Sequence, residues 1–149
     1  VDEIMGNYTE ILIKAKIKSC IPDNVRNILM HLFDSKIEFE DEYIKSILPE
    51  HEFFKCPRWH LVGTCCSSYH IPWIDSNYED GYIFSRSDLK DYDDEIDKFF
   101  DWISDYIDGI PGQCIGYKWH EYDDAPTLAY LKGIRVEKDI LLLVTEEGV

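Results

Sequence analysis

Two matching spacings, Cys56 to His60 and Cys66 to His70, bring together residue types that could hold a metal. Two thiolates and two imidazoles make a tetrahedral zinc set. The local pattern argues against a shared ion. Trp59 to Cys66 reads as a strand, with Trp59, Leu61, Gly63 and Cys65 on one side. Residues four apart in a strand stand ~13 Å apart, so Cys56 and His70 would have to lie in loops that fold back. Buried or half-buried Cys and His are the simpler roles. Cys65 or Cys66 could pair with His60, His70 or His120 as thiolate and base, but no cysteine-enzyme signature surrounds them. Glu121, Asp123 and Asp124 could pose as catalytic carboxylates or a calcium loop. The EF-hand spacing is missing, and Asp123-Asp124-Ala125-Pro126 reads more simply as a turn. Neither phosphate-binding glycine motif occurs. The expectation is a protein that is not an enzyme and takes no cofactor. A small Cys/His enzyme or zinc protein using Cys56, His60, Cys66 and His70 is the alternative.

A different chemistry lies in the segment Asp88 to Asp108, which holds nine carboxylates against two lysines. Ile96, Phe99, Phe100, Ile103 and Ile107 recur at helical spacing and predict an amphipathic helix. At ~100° per residue, Asp94, Asp97, Asp101, Asp105 and Asp108 fall in one stripe opposite its buried face. Like charges four apart destabilise a helix, so the row has an energetic cost. A fixed anionic row can bind a cationic surface, including one that normally holds nucleic acid. The stripe spans about 21 Å of axis, whereas a duplex carries one charge per ~1.7 Å. To imitate a duplex it would need the acids between 38 and 52, those at 75, 79 and 80, or those at 121, 123 and 124. Trp102 and Tyr106 lie beside the apolar stripe. They either widen the core contact or act as anchors beside an acidic rim.

The chain has 149 residues, 45% of them hydrophobic, and a net charge of −15 from thirty acids and fifteen bases. That is enough apolar residue for one domain with a core. The charge argues against direct binding to nucleic acid or an anionic membrane, since phosphate contacts need Lys and Arg. No apolar run approaches the ~18 residues of a membrane span. Five cysteines, an odd number without a C-x-x-C pair, point to a reducing cytoplasm. The chain starts at Val1, and Val1–Ile4 read as a remnant ahead of a native start at Met5.

These residues need elements to position them. Tyr8 to Lys18 alternates as a half-buried strand, with Leu12 an exception. Ile21-Pro22-Asp23-Asn24 starts a helix running to about Phe33, capped by Asp or Asn. Tyr43 to Leu48 predicts a short helix ended by Pro49. Ser67 to Gly81 reads as a loop, and Tyr82 to Arg86 as a strand leading into the acidic helix. Cys114 to Tyr122, with Ile115, Tyr117 and Trp119 on one face, and Thr127 to Leu131 form a hairpin. The order strand, helix, strand, strand, helix, strand predicts an α+β, ferredoxin-like split βαβ fold. Its mixed sheet would carry two helices on one face, plus an extra C-terminal hairpin arm. Residues 132–149 would supply a further strand or arm, and Ile140 to Val144 could pair with a second copy by strand addition.

Three stretches, MGNYTEILIKAKIK, YIFSRSDLKDYDDEIDKFFDWISDYI and GQCIGYKWHEYDDAPTLAYL, together resemble small acidic proteins encoded by bacteriophages and prophages. The resemblance covers about residues 5 to 131 and carries over no catalytic residue. It implies a context: an inhibitor, of the DNA-mimic or anti-CRISPR kind, that blocks a basic nucleic-acid-handling host protein such as a restriction or CRISPR nuclease.

Overall fold

The alternation of apolar residues from Ile11 to Ile17 becomes the central strand of one sheet. A computed structural model describes residues 8–34, 37–63, 75–79, 81–132 and 135–137. The strands are β1 (Thr9–Lys16), β2 (Asp75–Glu79), β3 (Tyr82–Leu89), β4 (Cys114–His120), β5 (Thr127–Lys132) and β6 (Arg135–Glu137). The helices are α1 (Asp23–Phe33), α2 (Asp41–Ser46) and α3 (Glu95–Ile103). Among the described residues, three tight 3-10 turns cover Glu52–Lys55, Trp59–Gly63 and Ser104–Tyr106. The strands run in the order β2-β3-β1-β4-β5-β6. Every pair among the described strands is antiparallel, so their sheet is not the mixed one expected. The architecture is mixed α+β.

One face of the sheet is buried. Ile11, Ile13 and Ala15 of β1 share a core with Val25, Ile28, Leu29 and Leu32 of α1 and Ile96, Phe99 and Ile103 of α3. Phe33 and Phe99 meet edge to face at 5.9 Å, joining the two helices. Pro22 precedes α1, but no side chain caps it there. The Asn24 amide instead donates to Ile47 O at 3.1 Å and ties α1 to the end of α2.

The middle of the chain departs from two sequence expectations. Trp59 to Gly63 is a 3-10 turn, not a strand, closed by i to i+3 bonds such as Leu61 N–H to Arg58 O at 3.0 Å. Gly63 explains why: a Cβ there would lie 2.2 Å from Leu32 O, so this backbone is pressed against α1 rather than into a ladder. The second strand is supplied by Asp75–Glu79, inside the expected loop. Its sequence DSNYE is polar because it is an edge.

The acidic helix is also shorter than expected. Asp88 belongs to β3 and is fully buried. Asp91 and Asp94 take left-handed backbone, φ 56° and 58°, which short polar side chains tolerate best. The helix ends at Ile103 with no basic residue in its last turn. Ser104 donates to Asp101 O at 2.8 Å, and Ile107 forms a β-bridge with Ile17.

The hairpin of β4 and β5 forms as expected. A bulge between Cys114 and Gly116 turns Ile115 into the core, off the face of Tyr117 and Trp119. Cys65, Cys66, His70 and the tail from Ile140 to Val144 lie outside the described residues.

Candidate functional site

Shortening the helix breaks the row of five aspartates. Asp94 stands ahead of α3 as its left-handed cap residue and is exposed. Asp97 turns toward β4 and pairs with Lys118 Nζ at 2.9 Å, both side chains mostly covered. Asp101 points outward and meets His51 Nε2 at 2.9 Å. Asp105 is exposed in the following 3-10 turn, and its carbonyl accepts from Lys18 Nζ at 3.0 Å. Asp108 leaves the helix side altogether. Its N–H donates to Lys16 O at 2.8 Å, and its carboxylate lies 3.7 Å from Lys16 Nζ at the end of β1. The stripe is therefore not one face: Asp94, Asp101 and Asp105 remain outward.

The His51–Asp101 bond brings a second set of acids to them. Glu50 and Glu52 flank His51, with side chains 93% and 69% exposed. Lys55 lies 3.7 Å from Glu50 and 3.1 Å from Glu52, and these partners raise its pKa. The resulting acidic surface runs from Glu50 and Glu52 across Asp101 to Asp105. Asp94 and Asp105 have no ion-pair partner among the described residues. Part of the 38–52 acid group therefore joins the helix. Glu121 does not: its Oε1 accepts from Tyr8 N–H at 3.0 Å, beside Trp119 and Asp123.

Trp102 is not an exposed anchor. It is 3% exposed, stacked on Phe53 at 5.9 Å and edge-on to Phe54 at 4.8 Å. Helical spacing places it one step from Phe99, and the 3-10 turn Glu52–Lys55 covers it. Tyr106 is half-buried against Trp102 at 5.7 Å. Burial first, and then the Asp105 charge, push its hydroxyl pKa up.

Cys56 and His60 serve separate neighbourhoods. The buried Cys56 Sγ lies 3.7 Å from Glu52 O and from Asp93 O, and 3.8 Å from Lys98 Nζ. Burial pushes its thiol pKa up, with Lys98 opposing, which is the reverse of an activated nucleophile. His60 lines a cleft with His31, Asp41 and Trp59. Burial lowers the His31 pKa, partly offset by Asp41. His120 Nδ1 accepts from Tyr122 N–H at 3.2 Å, a hairpin-turn role. No group of three or more metal-ligating side chains occurs among the described residues. No helix among them is long and apolar enough to cross a membrane.

Sequence reasoning missed Asp91. Its Oδ1 accepts from Ile96 N–H at 3.0 Å and so closes the start of α3. Burial drives its pKa up to about 6, against the opposing pull of the Ile96 bond and Lys118. The available signal was a run of acids directly before the apolar stripe, where acids satisfy helix N–H groups. It also missed the aromatics of β3, Tyr82 and Phe84, on the sheet face away from the helices. No protein-family model, curated protein or solved structure matches this chain.

Proposed function

We propose that this protein is a non-enzymatic, acidic binding protein that docks on a basic, nucleic-acid-handling protein and competes with its nucleic acid. The observation that carries the reading is the joining of two acid groups, Glu50 and Glu52 with Asp101, through the His51 bond. Such a surface is held by a rigid core rather than by a disordered tail. Its exposed carboxylates steer a cationic partner, and affinity falls with salt because the Debye length is only ~8 Å at physiological strength. The resemblance to phage and prophage proteins supports a host restriction or CRISPR nuclease as the target and a cytoplasmic site of action. The core is read as ferredoxin-like, supported by the order β2-β3-β1-β4 with a helix in each crossover. In that reading β5 and β6 are the added arm.

The test is capture from host lysate at low and high salt, with competition by duplex DNA. The expected result is a nucleic-acid-binding protein released by salt and by DNA. It should be lost in the triple variant Glu50→Lys, Asp101→Lys, Asp105→Lys while the melting temperature holds. Capture that survives this reversal overturns the reading.

A further inference from the structure

The sheet face away from the helices is unlike the rest of this acidic chain. Register places Leu12, Lys14 and Lys16 of β1 opposite Arg86, Phe84 and Tyr82 of β3. On the other side, Leu12 faces Tyr117, and Tyr117 faces Leu128. Tyr82 is 56% exposed, and Phe84 and Trp119 are each 38% exposed. An open groove of about 610 Å³ runs across this face past Leu12, Lys14, Tyr82, Gly116, Tyr117 and Leu128. Gly116 forms the floor. A Cβ there would sit 1.9 Å from Leu12 O, so the strands come together without a side chain between them.

We propose that this open face is the interface of a two-fold dimer of this chain. Charge is the first argument. Two chains of net charge −15 repel wherever acidic surfaces meet. Here the signs are mixed. Lys14, Lys16 and Arg86 are set among Glu10 and Asp108. Glu10 is engaged by the Tyr117 hydroxyl, which donates to it. A two-fold axis sets each patch against its own copy, so a face holding both signs can complement itself. A nucleic acid is the poorer occupant, because its phosphates would meet those carboxylates.

Area is the second argument. Five strands at ~4.8 Å spacing, between five and eight residues long at ~3.4 Å rise, give a flat footprint of roughly 550 Å². Projecting aromatics raise the accessible area toward the ~800 Å² per partner of a standard interface. Tyr, Trp and Phe at the centre with charges around them is the composition such interfaces favour. Stacking on this face leaves α1 and α3 outside on both copies. The dimer then presents two acidic surfaces on opposite sides. This inference does not depend on the proposed target.

Sedimentation equilibrium on the whole chain tests it, up to about 100 µM, beyond the micromolar end of standard-size interfaces. The expected mass is twice 17.6 kDa, or 35.2 kDa. Phe84→Glu and the exposed-site reversal Lys14→Glu should each halve it, with unchanged circular dichroism. Lys14→Glu keeps the test valid if Phe84→Glu folds poorly. Asp101→Lys should leave the mass at the dimer value. A monomeric wild-type chain over the whole range overturns the proposal. So does a dimer that survives Lys14→Glu and any folded Phe84→Glu, which would place the contact at a strand edge or on the helix side.

Discussion

The Asp91 carboxylate accepts from the Ile96 N–H at 3.0 Å, five residues ahead, and takes the place of a side-chain cap on α3. Asp94, the residue in the cap position, makes no such bond and is left-handed instead. Glu95 reaches back to accept from Asp93 N–H at 3.1 Å. The acids before α3 are thus divided: Asp91 and Glu95 turn inward to build the helix start, and Asp94 stays outward.

The raised pKa of Asp91, about 6 against an ordinary value of 3.8, makes a pH prediction. The folded state holds this proton more tightly than the unfolded chain, so between about pH 4 and 6 stability falls as pH rises. At pH 7 the full cost of the buried charge is present, up to about 3 kcal/mol at ~1.36 kcal/mol per unit. Asp91→Asn keeps an acceptor for Ile96 and suits the left-handed backbone. The variant should be the more stable protein above pH 6, and the difference should vanish below about pH 4. Urea titrations of both proteins across that range check it. Parallel curves would show that Asp91 is not the titrating group.

Lys118 and Asp97 tie β4 to α3 through a 2.9 Å pair with side chains 26% and 29% exposed. That is well covered compared with the Lys16–Asp108 pair, which is about half exposed. A double-mutant cycle with Asp97→Ala and Lys118→Ala should give a coupling of about 1 kcal/mol, at the upper end for ion pairs near the surface. The same cycle on Lys16 and Asp108 should give a value near zero. Equal couplings would mean that burial does not set the strength of either pair.

The elements that were readable from sequence are those with one clean period. β1 alternates over Ile11, Ile13 and Ala15, and α1 repeats at Val25, Ile28, Leu29 and Leu32; both are where the sequence puts them. The single exception in β1, Leu12, marked the second face with its aromatics. What failed had a misleading or absent period. Trp59, Leu61 and Gly63 alternate by coincidence, while their positions are set by Leu32 and by Phe53 and Phe54 across the fold. Edge strand β2 is polar and carries no apolar signal. The acid row was legible as composition but not as a surface, because left-handed Asp91 and Asp94 shorten the helix and pairing turns Asp97 and Asp108 aside. No local pattern announces the Asp97 salt bridge to a strand residue 21 positions away.

Gly63 offers a direct test of the corrected turn. An added methyl would meet the Leu32 carbonyl oxygen at 2.2 Å and its carbon at 2.8 Å, and backbone atoms cannot swing away as a side chain can. Gly63→Ala should therefore destabilise the protein by about 3 kcal/mol through overpacking. In a strand, as the alternation suggested, the same change would be nearly neutral or stabilising. A melting-temperature drop of roughly 10 °C is expected at ~3 °C per kcal/mol for this size; no drop would return Trp59–Gly63 to question.

Trp102 separates core from interface. It packs on Phe53, Phe54, Phe99 and Tyr106, with ring centres between 4.8 and 6.2 Å. Removing it should empty a site that has little room to collapse, so Trp102→Ala should cost about 3–5 kcal/mol. Trp102→Phe keeps a ring in the cluster and deletes an indole N–H that has no acceptor among the described residues. It should cost far less, because an unsatisfied buried donor is itself unfavourable. Paired measurements decide the role. A core tryptophan gives variants whose partner capture declines only as far as their folded fraction does. An anchor would give a Trp102→Ala protein with the wild-type melting temperature and no capture, and that outcome would move the binding surface from the outward acids to the aromatic side of α3.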